Sequence, residues 1–426
     1  MTPVHRACFA ALTLLVACEP SSAPAPATPS PSAPPAGTID LVESAPLETN
    51  LVHADVLQAH EVWVEMIQGA RRSLDIAEFY ISSAPQSRLE PVLAAIEAAA
   101  DRGVTVRILV DTLFAKLYPE PLTRLGNHAG ITLRRFDVGP VMGGVHHAKY
   151  FIVDDREAYI GSQNFDWRSL THIQEIGVRL RDPAATAAYA DVFAMDWALA
   201  AGASPPPPRP RPASLRELAS GQPVTVTPVF SPERFLPDPA SWELPKIVNL
   251  IDGAARSIHV QVLLYRAQNR DNTPFTTLDE ALRRAAARGV KIEMLVADWS
   301  KKKGNVEAVQ ALARVPGVSA RFLDIPPWSG GFVPFARVAH AKYMVVDGER
   351  AWVGSSNWEG DYFTRTRNAG LIVEGASFAI SLERVFRDGF AGPYAEVVDP
   401  DKTYEAPKID EKATASPPKP GPGDKP

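Results

Sequence analysis

The sequence predicts an α/β fold in which one chain forms two similar layered domains. The first observation is a repeat: HAKYFIVDDREAYIGSQN, from His147 to Asn164, returns as HAKYMVVDGERAWVGSSN, from His340 to Asn357, with ten of eighteen positions identical. The second observation is that helix-like and strand-like segments alternate in each half, which is typical of α/β layers. Two such domains in one chain suggest a pseudo-dimer whose two motifs meet at an internal twofold axis.

Matching segments surround both copies of the motif, so the repeat covers whole domains. In each half a strand is followed by an amphipathic helix, a glycine at the helix end and a buried Val/Ile strand, and the motif is followed by a strand and a final helix. The corresponding segments are SLDIAEFYI (73–81) and SIHVQVLLY (257–265), LAAIEAAADRGVTVRILVD (93–111) and LDEALRRAAARGVKIEMLVAD (278–298), and EIGVRL (175–180) and AGLIVE (369–374), with helices around Phe193 and Phe386. These two phenylalanines have the same separation as His147 and His340, so the second half follows the first without a net insertion.

The composition sets limits on the function. The chain has 426 residues, 46% of them hydrophobic, which is enough for two domains of ordinary size. Its formal net charge is -5. This mild charge argues against a broad basic groove for duplex nucleic acid, but it is compatible with a small local phosphate pocket.

The N-terminus has the pattern of a secretory signal. A short basic start precedes an apolar run from Ala7 to Ala17, which is too short to span a bilayer. The run ends in Leu15-Val16-Ala17-Cys18, which resembles the bacterial lipobox, whose cysteine is lipidated after cleavage. We therefore predict an exported, membrane-anchored bacterial lipoprotein at the periplasmic or outer-membrane face; the alternative is an ordinary signal peptide with a chance cysteine. The only two cysteines are Cys8, inside the predicted signal peptide, and Cys18, the predicted lipidation site. The mature chain would therefore have no thiol left, which excludes thiol and disulfide chemistry.

Proline-rich segments divide the chain. Residues 19–37 and 203–213 are rich in Pro, with Ala and Ser or Arg, and cannot bury a core. The predicted organisation is a signal peptide (1–17), a lipidated tether (18–40), a first domain (41–202), a linker (203–213), a second domain (214–400) and a disordered tail (401–426).

Each copy of the motif is predicted to form a strand, a turn and a second strand. Residues two apart on a strand share a face, so His147 and Lys149 point the same way. If the four-residue segment DDRE closes a hairpin, His147 lies opposite Asn164 and Lys149 lies opposite Ser162. The same rule gives two pairs in the second copy: His340 with Asn357, and Lys342 with Ser355. Each hairpin then presents an imidazole, an ammonium, a hydroxyl and an amide together.

This set of side chains is suited to phosphate esters. Lysine and asparagine donate hydrogen bonds to the non-bridging oxygens, where negative charge builds up during displacement at phosphorus. Imidazole titrates near pH 6.5, so one histidine can attack phosphorus while the other protonates the leaving oxygen. Water then releases the phosphohistidine. The motif is duplicated because the reaction needs two histidines in opposite protonation states.

Two simpler interpretations compete with this one. For a single copy, a buried core histidine beside a solvated lysine would be sufficient, but two copies with the same polar spacing make coincidence a poor explanation. A zinc site would need several converging histidines or carboxylates, and lysine is a poor zinc ligand. We therefore expect neither a metal nor another cofactor.

A carboxylate that orients the nucleophile is expected beside one histidine. Glu175 follows His147 by 28 residues, and the equivalent position after His340 is Asn368. We therefore predict His147, supported by Glu175, as the nucleophile and His340 as the general acid; the alternative places Glu175 on a solvated strand edge. The predicted catalytic set is His147, Lys149, Asp154, Glu175, His340, Lys342 and Asp347, and the predicted phosphate-binding set is Ser162, Asn164, Ser355 and Asn357. Both aspartates fall at the far end of the strand, where fixing the turn or bracing the opposite Lys-His pair fits their position better than substrate contact.

The doubled pattern H-x-K-x4-D-x6-G-S-x-N resembles the phospholipase D superfamily, and the similarity covers residues 41–398. The resemblance implies the two-histidine mechanism without a metal, and two α-β-α-β-α sandwich domains packed as a pseudo-twofold dimer within one chain. The segments GSQNFDWRSLTHIQEIG (161–177) and SSNWEGDYFTRT (355–366) look like the animal endolysosomal members, which act as 5′-exonucleases on single-stranded DNA and RNA. The GS-x-N-x-D-x-RS part is shared with cardiolipin synthases.

We predict a membrane-tethered phosphodiesterase with one of two substrates. The lipid anchor and the mild acidity favour phospholipid head groups. The resemblance favours the 5′ end of a single-stranded nucleic acid, as do the candidates for base stacking Trp167, Trp358 and Tyr362, although such rings are also common in cores. A phosphatidyltransferase of the cardiolipin synthase type, in which an alcohol replaces water, is a third alternative. An inactive binding protein is a fourth, which two intact motif copies disfavour.

Overall fold

The structure is a computed structural model that describes residue 2 and residues 37–208, 215–217 and 223–410. The described residues from Gly37 onward belong to one compact unit. The predicted signal peptide (apart from residue 2), most of the tether, part of the linker and residues 411–426 lie outside these ranges. No helix within the described ranges is long and apolar enough to cross a membrane.

The first half runs from a strand at Thr38 to a helix that ends at Leu199. Its strands are β1 (Thr38–Ser44), β2 (Leu57–Gln58), β3 (Ser73–Glu78), β4 (Ile81–Ser82), β5 (Thr105–Asp111), β6 (Ile131–Phe136), β7 (Tyr150–Val153), β8 (Glu157–Gly161), β9 (Phe165–Asp166) and β10 (Glu175–Arg181). Its helices are α1 (Ala59–Gly69), α2 (Glu90–Asp101), α3 (Thr112–Ala115), α4 (Pro119–Gly126), α5 (Gly139–Met142) and α6 (Pro183–Leu199). The predicted helix, glycine and strand correspond to α2, Gly103 and β5, and Gly103 has the positive φ (86°) that commonly ends a helix.

The second half repeats this succession. Its strands are β11 (Leu215–Glu217), β12 (Pro223–Ser231), β13 (Ser257–Val262), β14 (Lys291–Ala297), β15 (Val318–Leu323), β16 (Tyr343–Val346), β17 (Arg350–Gly354), β18 (Asn368–Glu374) and β19 (Ala395–Val397). Its helices are α7 (Glu243–Asp252), α8 (Thr277–Ala287), α9 (Val306–Ala313), α10 (Gly360–Thr364) and α11 (Ala376–Ala391), with short 3-10 helices at Glu233–Phe235, Pro239–Ser241 and Asp298–Lys301. Residues 401–410, predicted to be part of the tail, pack beside α9, where Arg314 bonds to Asp401 at 2.7 Å.

Each half builds one large mixed sheet, and the two sheets have the same central strand order. The first sheet has the order β2-β1-β10-β8-β7-β3-β5-β6, and the second has the order β11-β12-β18-β17-β16-β13-β14-β15-β19. In each sheet the motif hairpin, β7-β8 or β16-β17, lies antiparallel to its neighbours at the centre. The sequence repeat is therefore a repeat of topology, and the predicted α/β fold class with two halves is confirmed.

The layers follow from which helix faces are apolar. Helices α1 and α2 cover the outer face of the first sheet, and α7 and α8 cover the outer face of the second. Helices α6 and α11 share a core with the inner faces of both sheets. The α6 segment AATAAYADVFAMDWAL carries apolar side chains around its circumference, as expected for a helix enclosed on several sides. Across the molecule the order is helix, sheet, helix, sheet, helix, so the five layers that were expected within each half span the two halves together, with one large sheet from each.

The motif hairpins differ by one residue from the predicted register. Val153 pairs with Glu157, and Val346 pairs with Arg350, so three-residue turns close the hairpins and not the predicted four-residue turns. Asp154 makes the tight turn possible by adopting a left-handed φ of 56°. The strand also begins only at Tyr150, after the motif His and Lys. The predicted pairs of motif residues are consequently not ladder partners.

A buried ion pair joins the two halves. The guanidinium of Arg367 donates from Nε and Nη2 to the carboxylate of Asp196 on α6, both at 2.8 Å. It also donates to the carbonyls of Ser231 (2.9 Å) and Phe235 (2.7 Å). Because an unpaired buried charge is strongly unfavourable, these contacts specify how the end of α6 meets the second half just before β18.

Candidate active site

Backbone contacts between the halves bring the two motif histidines to one site. The N–H of His147 donates to the carbonyl of Arg367 at 2.8 Å, and the N–H of His340 donates to the carbonyl of Gln174 at 2.8 Å. These two carbonyls directly precede β18 and β10. Each histidine therefore lies at the start of a strand that belongs to the other half, as a pseudo-twofold arrangement requires.

The structure corrects the predicted partner of Glu175. Its Oε1 lies 2.6 Å from Nδ1 of His340, and not beside His147. The reason is topological: the residue before Glu175, Gln174, binds the backbone of the second motif, so the first side chain of β10 faces that motif. Ser169 donates a further hydrogen bond to the same carboxylate oxygen at 3.1 Å. The argument that made His147 the nucleophile therefore applies to His340.

Asn368 occupies the equivalent place beside His147. Its Oδ1 lies 3.0 Å from Nδ1 of the ring. The amide orientation is fixed because Nδ2 donates to the carbonyls of Tyr362 (2.7 Å) and Thr366 (3.3 Å). Nδ1 of His147 therefore carries a proton and donates it to the amide oxygen, which leaves Nε2 for chemistry at phosphorus. An amide is neutral, so this ring lacks the anionic support that Glu175 gives to the other.

Both motif lysines are buried against their own histidines. Nζ of Lys149 donates to the carbonyl of His147 at 2.6 Å, and Nζ of Lys342 donates to the carbonyl of His340. Two ammonium groups beside two imidazoles suit the binding of phosphate oxygens. Among the residues that the structure describes, no group of three or more His, Cys, Asp or Glu side chains is placed to hold a metal ion.

Burial and mutual repulsion lower the pKa values of these four groups. Burial lowers the pKa of both histidines well below the usual value, and the charges of Lys149 and Lys342 lower them further. Burial lowers the pKa of Lys149 to about 7, against the opposing effect of Glu78 and Glu175. Burial also lowers the pKa of Lys342 well below its usual value. The charge of each lysine lowers the pKa of both histidines, so the four groups lie close together. A bound phosphate anion would favour their protonated forms.

The carboxylate of Glu175 is held by several donors. Burial raises the pKa of Glu175 well above its usual value, and the charge of Lys342, the hydroxyl of Ser169 and the charge of Lys149 oppose only part of this effect. The contact of 2.6 Å with Nδ1 of His340 adds a further donor. The positive charge that develops on the His340 ring would favour the ionised carboxylate, and an ionised Glu175 at Nδ1 fixes the ring tautomer with its lone pair on Nε2.

Aromatic rings lie against His147. The ring centroids of Phe79 and Tyr362 are 4.9 Å and 5.1 Å from the imidazole. Phe79 and its neighbour Glu78, whose carboxylate accepts from the N–H of Phe165 at 3.3 Å, are absent from the predicted set. The available signal was their position at the end of the predicted strand SLDIAEFYI, because β3 lies beside the motif strand β7.

The stacking candidates have different environments. Trp358 is fully buried in the core of the second half, with its ring 6.3 Å from that of Trp352, so its predicted role as a platform for bases is wrong. Trp167 is half-buried, with its ring 5.5 Å from that of His172. Of the three, Tyr362 is the one whose ring contacts a motif histidine in the described part of the chain.

The two serines of the predicted phosphate-binding set are held by hydrogen bonds to β10 and β18. Oγ of Ser162 donates to a carbonyl of β10 at 3.2 Å, and Oγ of Ser355 donates to Oδ1 of Asn368 at 2.9 Å. The two serines therefore support β10 and β18, the strands whose first residues contact the histidine of the other half. Asn164 and Asn357 are also buried, and Oδ1 of each has no partner among the described residues. Phosphate binding by these asparagines stays a prediction.

The two motif aspartates are structural. The carboxylate of Asp154 accepts hydrogen bonds of 2.7 to 3.0 Å from the backbone N–H groups of residues 71–73. Asp347 accepts equivalent bonds of 2.7 to 3.0 Å from residues 255–257. Burial opposes the charged form, but these bonds hold the pKa of both aspartates below the usual value. They fix the turn, the role that their position favoured, and a part of either aspartate in catalysis stays a prediction.

Comparisons with known proteins agree with this geometry. The family model described as "Cardiolipin synthase, PLD-like domain" matches residues 63–197 and 247–389, one match in each half. Among solved structures, the phosphatidylserine synthase of Haemophilus influenzae Rd KW20 superimposes with a TM-score of 0.57 at 12% identity, over 80% of this chain and 85% of that chain. This second similarity concerns the fold alone.

Two curated relatives cover most of the chain. "Phospholipase D Z" of Dictyostelium discoideum is 30% identical over an alignment of 386 positions, which covers 84% of this chain and 90% of that protein. "5'-3' exonuclease PLD3" of Bos taurus is 31% identical over an alignment of 398 positions, which covers 84% of this chain and 80% of that protein. With both motif copies inside the matched ranges and both histidines at one site, the chain belongs to the phospholipase D superfamily and is a phospholipase D-like phosphodiesterase.

Proposed function

We propose that the protein hydrolyses phosphodiesters in two steps, with His340 as the nucleophile and His147 as the general acid. The observation that carries this assignment is the contact of 2.6 Å between Glu175 and Nδ1 of His340. A carboxylate at Nδ1 stabilises the positive charge that develops on an imidazole when its Nε2 bonds to phosphorus. The neutral amide of Asn368 stabilises the charged form of His147 less, so protonated His147 is the stronger acid.

The geometry provides a proton donor for the leaving oxygen and a proton acceptor for the attacking water. In the first step Nε2 of His340 attacks phosphorus, the bond from phosphorus to the leaving oxygen breaks, and that oxygen takes the proton from Nε2 of His147. Lys149 and Lys342 donate to the non-bridging oxygens, where charge increases. In the second step water attacks phosphorus, its proton passes to Nε2 of His147, and the phosphorus–nitrogen bond breaks. Both histidines return to their starting states.

Phospholipid head groups are the first candidate substrate. The similarity to "Phospholipase D Z" supports this class. The net charge of -5 disfavours strong attraction of a long polyanion. Exposed apolar side chains beside the site, described in the next subsection, favour an amphiphilic substrate.

Single-stranded nucleic acid is the second candidate. Two arginines lie over aromatic rings near the site: Arg270 is 5.4 Å from the ring of Tyr362, and Arg168 is 5.5 Å from the ring of Tyr118. Aromatic rings with nearby cations are suited to unpaired bases and their phosphates. The similarity to "5'-3' exonuclease PLD3" supports the same class.

A parallel assay separates the candidates. Full-length protein carrying Cys18→Ala, to avoid lipidation, is given phosphatidylcholine vesicles or a 5′-labelled single-stranded oligonucleotide, with EDTA present. We expect choline release to exceed mononucleotide release, with phosphatidate as the lipid product. Mononucleotides without choline would reject the phospholipid candidate, and phosphatidylglycerol formed in the presence of glycerol would indicate transfer. No turnover of these or of bis(p-nitrophenyl) phosphate would reject phosphodiesterase activity.

We also propose that Cys18 is lipidated and holds the protein at the periplasmic or outer-membrane face of a bacterium. The support is the sequence Leu15-Val16-Ala17-Cys18 after an apolar run, in a part of the chain outside the described residues. In a bacterial host, the wild-type chain is expected to incorporate labelled palmitate and to sediment with membranes. Cys18→Ala should lose the label, whereas the control Cys8→Ala should keep it. A labelled Cys18→Ala protein would contradict the proposal.

A further inference from the structure

Four large apolar side chains are exposed on two loops beside the active site. They are Leu113 and Leu117, 55% and 64% exposed, in and just after α3, and Phe332 and Phe335, 44% exposed each, between β15 and β16. We call these four residues the apolar rim. Clustered exposed apolar side chains commonly mark an interaction surface, whereas single ones do not.

Packed rings connect the first pair of rim residues to the active site. The ring of Phe114 on α3 lies 3.8 Å from that of Phe79, which in turn lies 4.9 Å from the imidazole of His147. Asp111 caps the start of α3, and its other carboxylate oxygen accepts from the N–H of His146 at 2.8 Å. The segment that carries the two rim leucines is therefore connected to the general acid through two rings, those of Phe114 and Phe79.

Arg168 connects the second pair to the first. Its guanidinium donates to the hydroxyl of Tyr118 at 3.1 Å and to the carbonyl of Pro334 at 3.3 Å. Tyr118 directly follows one rim leucine, and Pro334 directly precedes one rim phenylalanine. One side chain thus joins the two loops, so the segments that carry the four rim residues lie against each other beside the site.

We propose that the apolar rim inserts into the surface of a phospholipid bilayer and presents the active site to the head groups; this proposal rests on the phosphodiesterase function above. Lys116 is exposed between the rim leucines, and Nζ of Lys408 lies 4.4 Å from the ring of Phe332. Cations among exposed apolar side chains fit an anionic lipid surface. The two leucines offer bases no ring to stack on, so this half of the rim fits a bilayer better than nucleic acid.

The length of the N-terminal segment permits this orientation. Ser44 at the end of β1 pairs with Glu175 at the active site, so Thr38 lies at the opposite end of the strand. At about 3.3 Å per residue, this places Thr38 roughly 20 Å from the site. The chain from Cys18 to Thr38 reaches at most roughly 70 Å when fully extended. That reach is sufficient for the rim to face the same bilayer that would hold a lipid on Cys18.

Vesicle binding and turnover test the proposal. The full-length chain carrying Cys18→Ala is compared with and without the pair Leu113→Glu and Leu117→Glu, on vesicles of phosphatidylcholine with a minority of phosphatidylglycerol. Two carboxylates in the rim are expected to weaken vesicle binding at least about tenfold. Turnover of the vesicles should fall at least about tenfold more than turnover of soluble bis(p-nitrophenyl) phosphate. Ile380→Glu is the matched control, because Ile380 is 59% exposed on α11.

The pair Phe332→Glu and Phe335→Glu repeats the test from the other loop, so a folding defect in one variant leaves the other informative. Wild-type vesicle binding by either correctly folded pair would overturn the proposal, as would an equal loss in Ile380→Glu. A loss confined to oligonucleotide cleavage would assign the rim to nucleic acid, and a loss of dimers in solution would assign it to a second copy of the chain. Either outcome would overturn the proposal that the rim inserts into a bilayer. If no phosphodiester is hydrolysed, including the soluble one, the proposed phosphodiesterase function is rejected. Sedimentation with vesicles still tests whether the rim binds a bilayer.

Discussion

Replacing His340 by alanine is expected to abolish the covalent phosphoenzyme, whereas replacing His147 by alanine is expected to make it accumulate. Nε2 of His340 forms the bond to phosphorus, so no adduct forms without that ring. His147 protonates the leaving oxygen and later activates water. With bis(p-nitrophenyl) phosphate, whose leaving group needs no proton, His147→Ala should complete the first step and stop before the second.

Mass spectrometry after an alkaline quench, which preserves phosphohistidine, measures this difference. The adduct is expected on the peptide that contains His340 in His147→Ala, and no adduct is expected in His340→Ala. Steady-state turnover of phosphatidylcholine should fall by about 10⁴-fold or more in both variants. His128→Ala, outside the site, is the control and should keep wild-type turnover. An adduct on His147 in the His340→Ala variant would restore the opposite assignment.

Glu175→Gln is expected to have the second largest effect. Glutamine preserves the shape of the side chain and an oxygen that accepts from Nδ1 of His340, but it removes the negative charge and can also present its NH2 group to the ring. The kcat for bis(p-nitrophenyl) phosphate should therefore fall by about 10³-fold to 10⁴-fold, as when a carboxylate behind a catalytic histidine is replaced by its amide. Because this substrate needs no acid, the loss would report on the nucleophile.

Asn368→Asp is the matched variant, since it adds a carboxylate behind the other histidine. The new charge is expected to raise the pKa of His147, which burial and the charge of Lys149 hold well below its usual value. A group with a raised pKa stays protonated to higher pH, so the alkaline decline of kcat/KM for phosphatidylcholine should move to higher pH. Turnover should stay within about tenfold of wild type. A decline that moves to lower pH, or a loss as large as that of Glu175→Gln, would contradict the assigned roles.

The topology was predictable because the sequence shows both the periodicity of apolar residues in each strand and helix and the repeat of these segments in the two halves. Segments that look alike, such as those at 73–81 and 257–265, occupy the same place in the two sheets. The hairpin register was not predictable to one residue, because it depends on the left-handed φ of Asp154 and Asp347. Both aspartates turn this way while their carboxylates bind a loop far away in the sequence, which is a tertiary contact without a local signal.

The site shows a similar division. The repeated motif identified His147, Lys149, His340 and Lys342, and each lysine affects the pKa of both histidines in the structure. The partner of Glu175 does not follow from its distance along the chain, because it depends on which half the start of β10 meets. Burial is equally hidden: the sequence offers Trp358 as a candidate for base stacking, but the apolar core of the second half encloses it.

Fusing two copies in one polypeptide allows them to diverge, whereas a homodimer must carry every substitution twice. Here a single acid on one side and a neutral amide on the other, Glu175 and Asn368, break the equivalence of the two rings. Two equivalent histidines could exchange the roles of nucleophile and acid, so a diester could bind and react in either of two orientations. With His340 as the nucleophile and His147 as the acid, only one direction is productive, and the departing alcohol leaves on the side of His147, whose ring lies against Phe79 and Tyr362. One carboxyl group thus gives the reaction its polarity.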